Sequence, residues 1–177
     1  MTERLGGLTL TEAYRPGALA AVVALHMRYY APVWGLDRNF ETKIAAELSE
    51  FLARHDPARD LFLSGYDAQG EMQASITIDG LHGHDEGAHL RWFIVSEALR
   101  GHGIGRPMLE RGLDFCRTRG YGRITLTTFA GLEAARHLYE SAGFVLTKEI
   151  AEDRWQSGVT EQHFALDLTA PARTGAA

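Results

Sequence analysis

The stretch Leu90–Phe115, LRWFIVSEALRGHGIGRPMLERGLDF, decides the fold. It opens on an apolar run, Leu90–Val95, of the kind that forms a buried strand. It then passes through Arg100-Gly-His-Gly-Ile-Gly105 and enters a helix predicted over Gly103–Arg119, with Met108, Leu109, Leu113 and Cys116 on one side. Glycines let a backbone approach a ligand without a Cβ in the way. The first N–H groups of a helix have no internal partner, and the helix dipole favours anions there. Strand, glycine loop and helix start therefore form a phosphate cradle, although the same pattern also suits a tight strand-to-helix connection that binds nothing. No Gly-Lys-Ser/Thr follows, which excludes a P-loop. The next strand, Arg123–Thr128, lacks the acidic end residue that a dinucleotide's ribose needs.

Upstream of this stretch, Leu8–Tyr14 alternates as a first strand, and Pro16 suits the first turn of a helix reaching about Tyr30. Tyr29–Gly35 (YYAPVWG) reads as a loop broken by Pro32 and Gly35. A second helix fits Asn39–Arg54, with Phe40, Ile44, Leu48, Phe51 and Leu52 on one stripe. Leu61–Tyr66, Met72–Ile78 and Ala88–Val95 are strands, the first two joined by the turn Asp67–Gly70. Downstream come the strand Arg123–Thr128, a short helix Leu132–Ser141, and the strands Phe144–Ile150 and His163–Leu168. A hairpin-rich half followed by a β-α-β unit implies an α/β fold, a mixed sheet of about seven strands with helices on both faces.

A second motif sharpens the reading. Arg100-x-x-Gly103-x-Gly105 matches the Q/R-x-x-G-x-G/A signature of the Gcn5-related N-acetyltransferase (GNAT) superfamily, and AARHLYESAGF (Ala134–Phe144) resembles that family's later motif, with Tyr139 and Gly143-Phe144 in register. The resemblance runs from Leu8 to Leu168. Within the family, these stretches and VTEQHFALDL look most similar to the acetyltransferase half of MarR-type regulator fusions, without room for a winged helix. Many members carry an asparagine ahead of the motif tyrosine that contacts the cofactor; here that place holds Leu132.

The resemblance implies a bulged GNAT sheet and transfer of the acetyl group of acetyl-CoA to a primary amine by direct attack in a ternary complex. It implies that Gly101, His102, Gly103, Ile104 and Gly105 hold the pyrophosphate with Arg100 and Arg106 nearby, that Phe93, Ile94 and Val95 pair with the pantetheine arm, and that Ala135 and Tyr139 adjoin it. Tyr139 falls at the family's general-acid position. A phenol with an ordinary pKa of about 10 is protonated at neutral pH and can donate to a departing sulfur; the alternative is a helix tyrosine filling the core. His89 lies on the strand where relatives place a base, and it is equally readable as an exposed strand-end histidine. His82, His84, Asp85 and Glu86 form a neighbouring polar loop with no third well-spaced ligand, so no metal is expected.

Tyr30, Trp34 and Arg91 are the acceptor-slot candidates, with Tyr29, Phe40, Glu41, Trp92 and Trp155 around them. His89 and Arg91 share a strand face, so a fixed guanidinium there could clamp a carboxylate on the acceptor. The alternative is an arginine paired with a neighbouring acid.

Length and composition bound the rest. The 177 residues suit one domain over residues 1–168 and a frayed tail over 169–177. The net charge of −5 gives no reason to expect nucleic acid. The single Cys116 excludes an internal disulfide and reads as structural. No signal peptide and no apolar run of the ~20 residues needed to span a bilayer are seen, so a cytoplasmic location and no membrane are expected. The expected partner is a small-molecule or protein amine, and a homodimer is compatible with the pattern. Two other classes compete: an acyl-CoA-binding module without turnover, and a nucleic-acid-associated regulator.

Overall fold

The computed structural model describes residues 3–151 and 158–169; Trp155 and residues 170–177 lie outside them. The described chain folds as an α/β structure around an eight-stranded mixed sheet. In chain order the elements are β1 (Glu3–Leu5), β2 (Leu8–Thr11), α1 (Ala18–Trp34), α2 (Arg38–Ala53), β3 (Leu61–Tyr66), β4 (Met72–Asp79), β5 (Ala88–Val95), α3 (Gly105–Thr118), β6 (Arg123–Phe129), α4 (Glu133–Ser141), β7 (Val145–Ile150) and β8 (Glu161–Asp167). The strands lie in the order β1-β2-β3-β4-β5-β6-β8-β7, with β5 and β6 parallel and the other pairs antiparallel.

Three sequence expectations need correction. An eighth strand, β1, forms a hairpin with β2 through Gly6 and Gly7. Three residues are too few to display an alternating pattern, so it was invisible in the sequence. The expected loop at Tyr29–Gly35 is helical: α1 runs through Pro32 and stops at Gly35, whose φ of 64° provides the left-handed cap and whose N–H donates to the Ala31 carbonyl. Tyr29, Tyr30, Trp34, Phe40 and Phe129 pack ring against ring there, and that packing outweighs the helix bond lost at proline. Finally α3 begins at Gly105 rather than Gly103. Gly101 and Gly103 have φ of 76° and 75°, outside the helical region.

Two cores cover the two faces of the sheet. One packs α3 and Tyr139 of α4 onto Ile76, Ile78, Leu90, Leu126 and Phe164. The other packs α1 and α2 onto Phe62, Trp92, Ile94 and Phe129. The N-terminal hairpin sits under the glycine loop. A Cβ added at Gly6 would stand 2.3 Å from Ile104 Cδ1, and Ile104 itself is buried.

The feature that positions the site is a bulge. Ser75 pairs with Ile94 and Thr77 with Arg91, so Ile76 alone faces both Trp92 and Phe93. Trp92 carries the bulge with φ of 45°, a conformation that costs a non-glycine residue roughly 1–2 kcal/mol. Its ring is held by burial against Phe51 and by the Arg91 guanidinium 4.2 Å above it. Parallel pairing between β5 and β6 covers Ala88–Leu90 with Ile124–Leu126 and stops there. Beyond it the strands diverge, and the β6-facing edge of residues 91–95 has no strand beside it.

Candidate active site

Two cavities meet at this divergence. The first, about 860 Å³, lies among the second half of β5, the glycine loop and the start of α4. Its lining includes Phe93, Ile94, Val95, Arg100, Gly101, Gly103, Ile104, Gly105, Arg106 and Ala135. The second, about 510 Å³, lies under α1 and α2 and takes side chains from β5, β6 and β8. Tyr30, Phe93, Thr128 and Tyr139 line both, so the two cavities adjoin at these four residues.

The first cavity suits a phosphate-bearing, extended molecule. A Cβ at Gly101 or Gly103 would meet nothing within 4 Å, so these positions face open space. Both have positive φ and lead into the start of α3, where the first helical N–H groups lack internal partners. Arg106 adds charge at the rim, and the unpaired edge of residues 91–95 offers strand-like hydrogen bonding. These residues fit acetyl-CoA. Two expected contacts change in kind. Ile104 is buried among core side chains, so it offers only backbone. The His102 ring is exposed, with Nδ1 3.0 Å from the Arg100 carbonyl, and it lies outside the cavity lining. Arg100 stacks on Tyr29, with its guanidinium 3.6 Å from the ring centroid. Leu132, at the N-cap of α4, presents apolar surface to the cavity and makes no side-chain cap bond.

Tyr139 rises from α4 where the two cavities adjoin, wedged among Phe93, Phe144 and Phe164. Burial raises its phenol well above the usual range, so it stays protonated across neutral pH. Tyr30 is raised by burial in the same way.

The second cavity is ringed by Tyr30, Phe40, Trp92 and Phe129, with His26, His89 and His163 among its polar groups. His89 is held down to about 4, first by burial and then by the Arg91 charge, so it is neutral at pH 7 and a weak base. The Arg91 guanidinium is not free for a ligand. It donates to Glu47 of α2 and lies 3.7 Å from Asp79 on the adjacent strand. Burial opposes ionisation of Asp79, but the Arg54 hydrogen bond at 2.6 Å, the Leu81 N–H and Arg91 outweigh it and hold its carboxyl below the usual range. Trp34 lies outside both cavities, stacked on Tyr30 and against Gly131. Burial pushes the Cys116 thiol up to about 12, which leaves it an unreactive core group.

Sequence reasoning missed His26, Glu47, Thr127, Glu161 and His163 in the second cavity. Glu161 and His163 were legible as same-face neighbours on a strand, whereas His26 and Glu47 reach the cavity only through helix packing. In the loop after β4, His84 packs edge-on against Tyr121. Among the described residues, no group of three His, Cys, Asp or Glu side chains is placed to hold a metal, and no helix is long and apolar enough to cross a membrane.

Residues 10–144 match the family model described as "Acetyltransferase (GNAT) family". The chain belongs to this family. It is 32% identical over 101 residues to the mycothiol acetyltransferase of Corynebacterium aurimucosum, a match covering 53% of this chain and 33% of that protein. The chain thus spans about a third of that relative's length. An acetyltransferase structure from Streptococcus agalactiae superposes with a TM-score of 0.71 at 22% identity, covering 93% of this chain and all of that one. The spermidine N-acetyltransferase of Vibrio cholerae, solved with CoA and spermine, gives 0.67 at 21% identity over 93% and 98% of the two chains. Family membership and these superpositions give the chain the family's fold.

Proposed function

We propose that the protein transfers the acetyl group of acetyl-CoA to a primary amine by direct attack in a ternary complex. The observation that carries this reading is the meeting of the two cavities at Tyr139: one is built for a nucleotide-thioester, the other for an acceptor. Acetyl-CoA supplies an activated acyl thioester. The N–H groups of Gly101, Gly103, Ile104 and Gly105 and the Arg106 charge bind its pyrophosphate, while the His102 N–H is taken by the Leu99 carbonyl, and the free edge of β5 orients the arm toward the second cavity. The Tyr139 phenol keeps its proton at neutral pH and holds it where a leaving thiolate needs it. Tyr30, Phe40, Trp92 and Phe129 give the acceptor end aromatic walls. The acceptor is a small molecule or a protein amine. Kinship with the regulator-fused acetyltransferases is supported by the AARHLYESAGF stretch.

The rival reading, an acyl-CoA-binding module without turnover, draws on the apolar Leu132 beside the cradle. A panel of primary amines incubated with acetyl-CoA, with free thiol as the readout, separates them. Amine-dependent thiol release is expected. Tight acetyl-CoA binding without release for any small or peptide amine would favour the binding module.

A further inference from the structure

Three histidines line the acceptor cavity, and two of them are occupied or suppressed. His26 Nδ1 donates to the Val22 carbonyl at 2.8 Å, and burial holds the ring to about 4. His89 is buried beside Arg91. His163 is placed differently. It sits on β8 between Thr127 of β6 and Lys148 of β7. Its Nδ1 lies 3.4 Å from Thr127 Oγ1. Its Nε2 is buried without a hydrogen-bond partner, and the Glu161 carboxylate lies 3.7 Å away. A buried polar nitrogen with no partner is costly unless a ligand or water completes it.

We infer that His163 is the base that takes the acceptor's proton, and that Glu161 is the positioning carboxylate that steadies the imidazolium formed. The inference rests on the acetyl-transfer reading above. In the tautomer in which Nδ1–H donates to the Thr127 hydroxyl, the lone pair falls on Nε2, a buried atom of a ring that lines the cavity. An amine arrives as its ammonium form. One N–H bond breaks and that proton passes to Nε2. The freed lone pair forms the N–C bond to the acetyl carbonyl while the C–S bond breaks. Tyr139 gives its proton to the sulfur, and a second proton from the nitrogen restores the phenol. His163 then releases its proton to solvent, so the net products are an amide, a thiol and one proton. The charged and titratable groups around His163 are Glu161 on its own strand, Lys148 on β7, His89 and Arg91 on β5, Lys43 and Glu47 on α2, His26 and Tyr30 on α1, and Tyr139 on α4. Glu161 is the carboxylate nearest to its free nitrogen.

Nitrogen-15 NMR of the histidine rings in the full chain reads the tautomer without any acceptor. His163 is expected as the Nδ1–H form with a bare Nε2 at neutral pH; an Nε2–H form overturns the assignment. In turnover with acetyl-CoA and any amine that supports thiol release, His163→Gln is expected to lower kcat/KM about a hundredfold near neutral pH. Its residual rate should rise with pH into the acceptor's own ammonium range, while calorimetry shows acetyl-CoA affinity retained. Glu161→Gln should shift the profile the same way by less. A His163→Gln enzyme that folds, binds acetyl-CoA and keeps the wild-type pH profile overturns the proposal. Failure of the acetyl-transfer reading looks different, because the wild-type protein itself would then release no thiol with any amine.

Discussion

Tyr139 is one of the four residues that line both cavities, and the role proposed for it divides into packing and proton donation. Tyr139→Phe keeps the ring among Phe93, Phe144 and Phe164 and removes only the hydroxyl. Turnover should fall about a hundredfold with acetyl-CoA affinity nearly unchanged. Wild-type kcat in that variant would assign the proton to solvent. Gly103 tests the other cavity. Its Cβ direction is open, so a larger side chain there does not break the core. Gly103→Glu places bulk and negative charge where the cradle faces a pyrophosphate, at a φ of 75° that costs a non-glycine residue roughly 1–2 kcal/mol. Calorimetry should show acetyl-CoA binding weakened beyond detection; unchanged affinity in the folded variant would end the cradle argument. These two positions were readable in the sequence because each belongs to a local motif. For Arg91 the sequence left two readings open, a clamp for a carboxylate on the acceptor and a pair with a neighbouring acid, and the structure has the pair. Its pairing with Glu47 depends on how α2 lies across the sheet, which a local pattern does not specify.

At the scale of elements, α2 serves the acceptor end alone. It brings Phe40, Lys43, Ile44 and Glu47 to the second cavity and contributes nothing to the lining of the first. Its start is fixed by Asp37, whose Oδ1 accepts from Asn39 N–H at 2.9 Å. Asp37→Ala removes the cap and should cost about 1 kcal/mol of stability in denaturant titration. It should raise the acceptor's KM while leaving acetyl-CoA affinity intact. An equal loss at both cavities would show that α2 does not act separately. The elements themselves were largely legible: β3 to β5, α3, β6 and α4 appear close to where apolar periodicity and glycines put them. The misses have physical causes. Pro32 is a helix breaker in isolation, but here it lies within a helix whose aromatic stripe is buried against Phe40 and Phe129. The bulge itself was implied by the family resemblance, and only its place at Trp92 was left unmarked, because no glycine stands there.

For the whole molecule, the second cavity includes two histidines, His26 and His89, kept neutral by burial, and that makes stability depend on pH. His26 has an ordinary pKa of 6.5 when unfolded and about 4 when folded. Between those values the unfolded chain binds more protons than the folded one. The contribution is therefore complete above about pH 6.5 and is lost as pH falls toward 4, with a ceiling of about 3 kcal/mol. Thermal melts should show a lower Tm at pH 4.5 than at pH 7, and His26→Met should narrow the difference. An undiminished difference would place the acid sensitivity elsewhere. The sheet also ties together parts of the chain that are far apart in sequence. Ile104, in the middle of the anion-binding loop, rests its Cδ1 against the bare backbone of Gly6 at the tip of the N-terminal hairpin. The loop thus has a floor made of the opening residues of the chain, and its height is set by the absence of a single carbon atom. A side chain at Gly6 would have to push the end of Ile104 aside, so a substitution in a turn outside the cavity lining would be felt in the loop proposed to hold the cofactor.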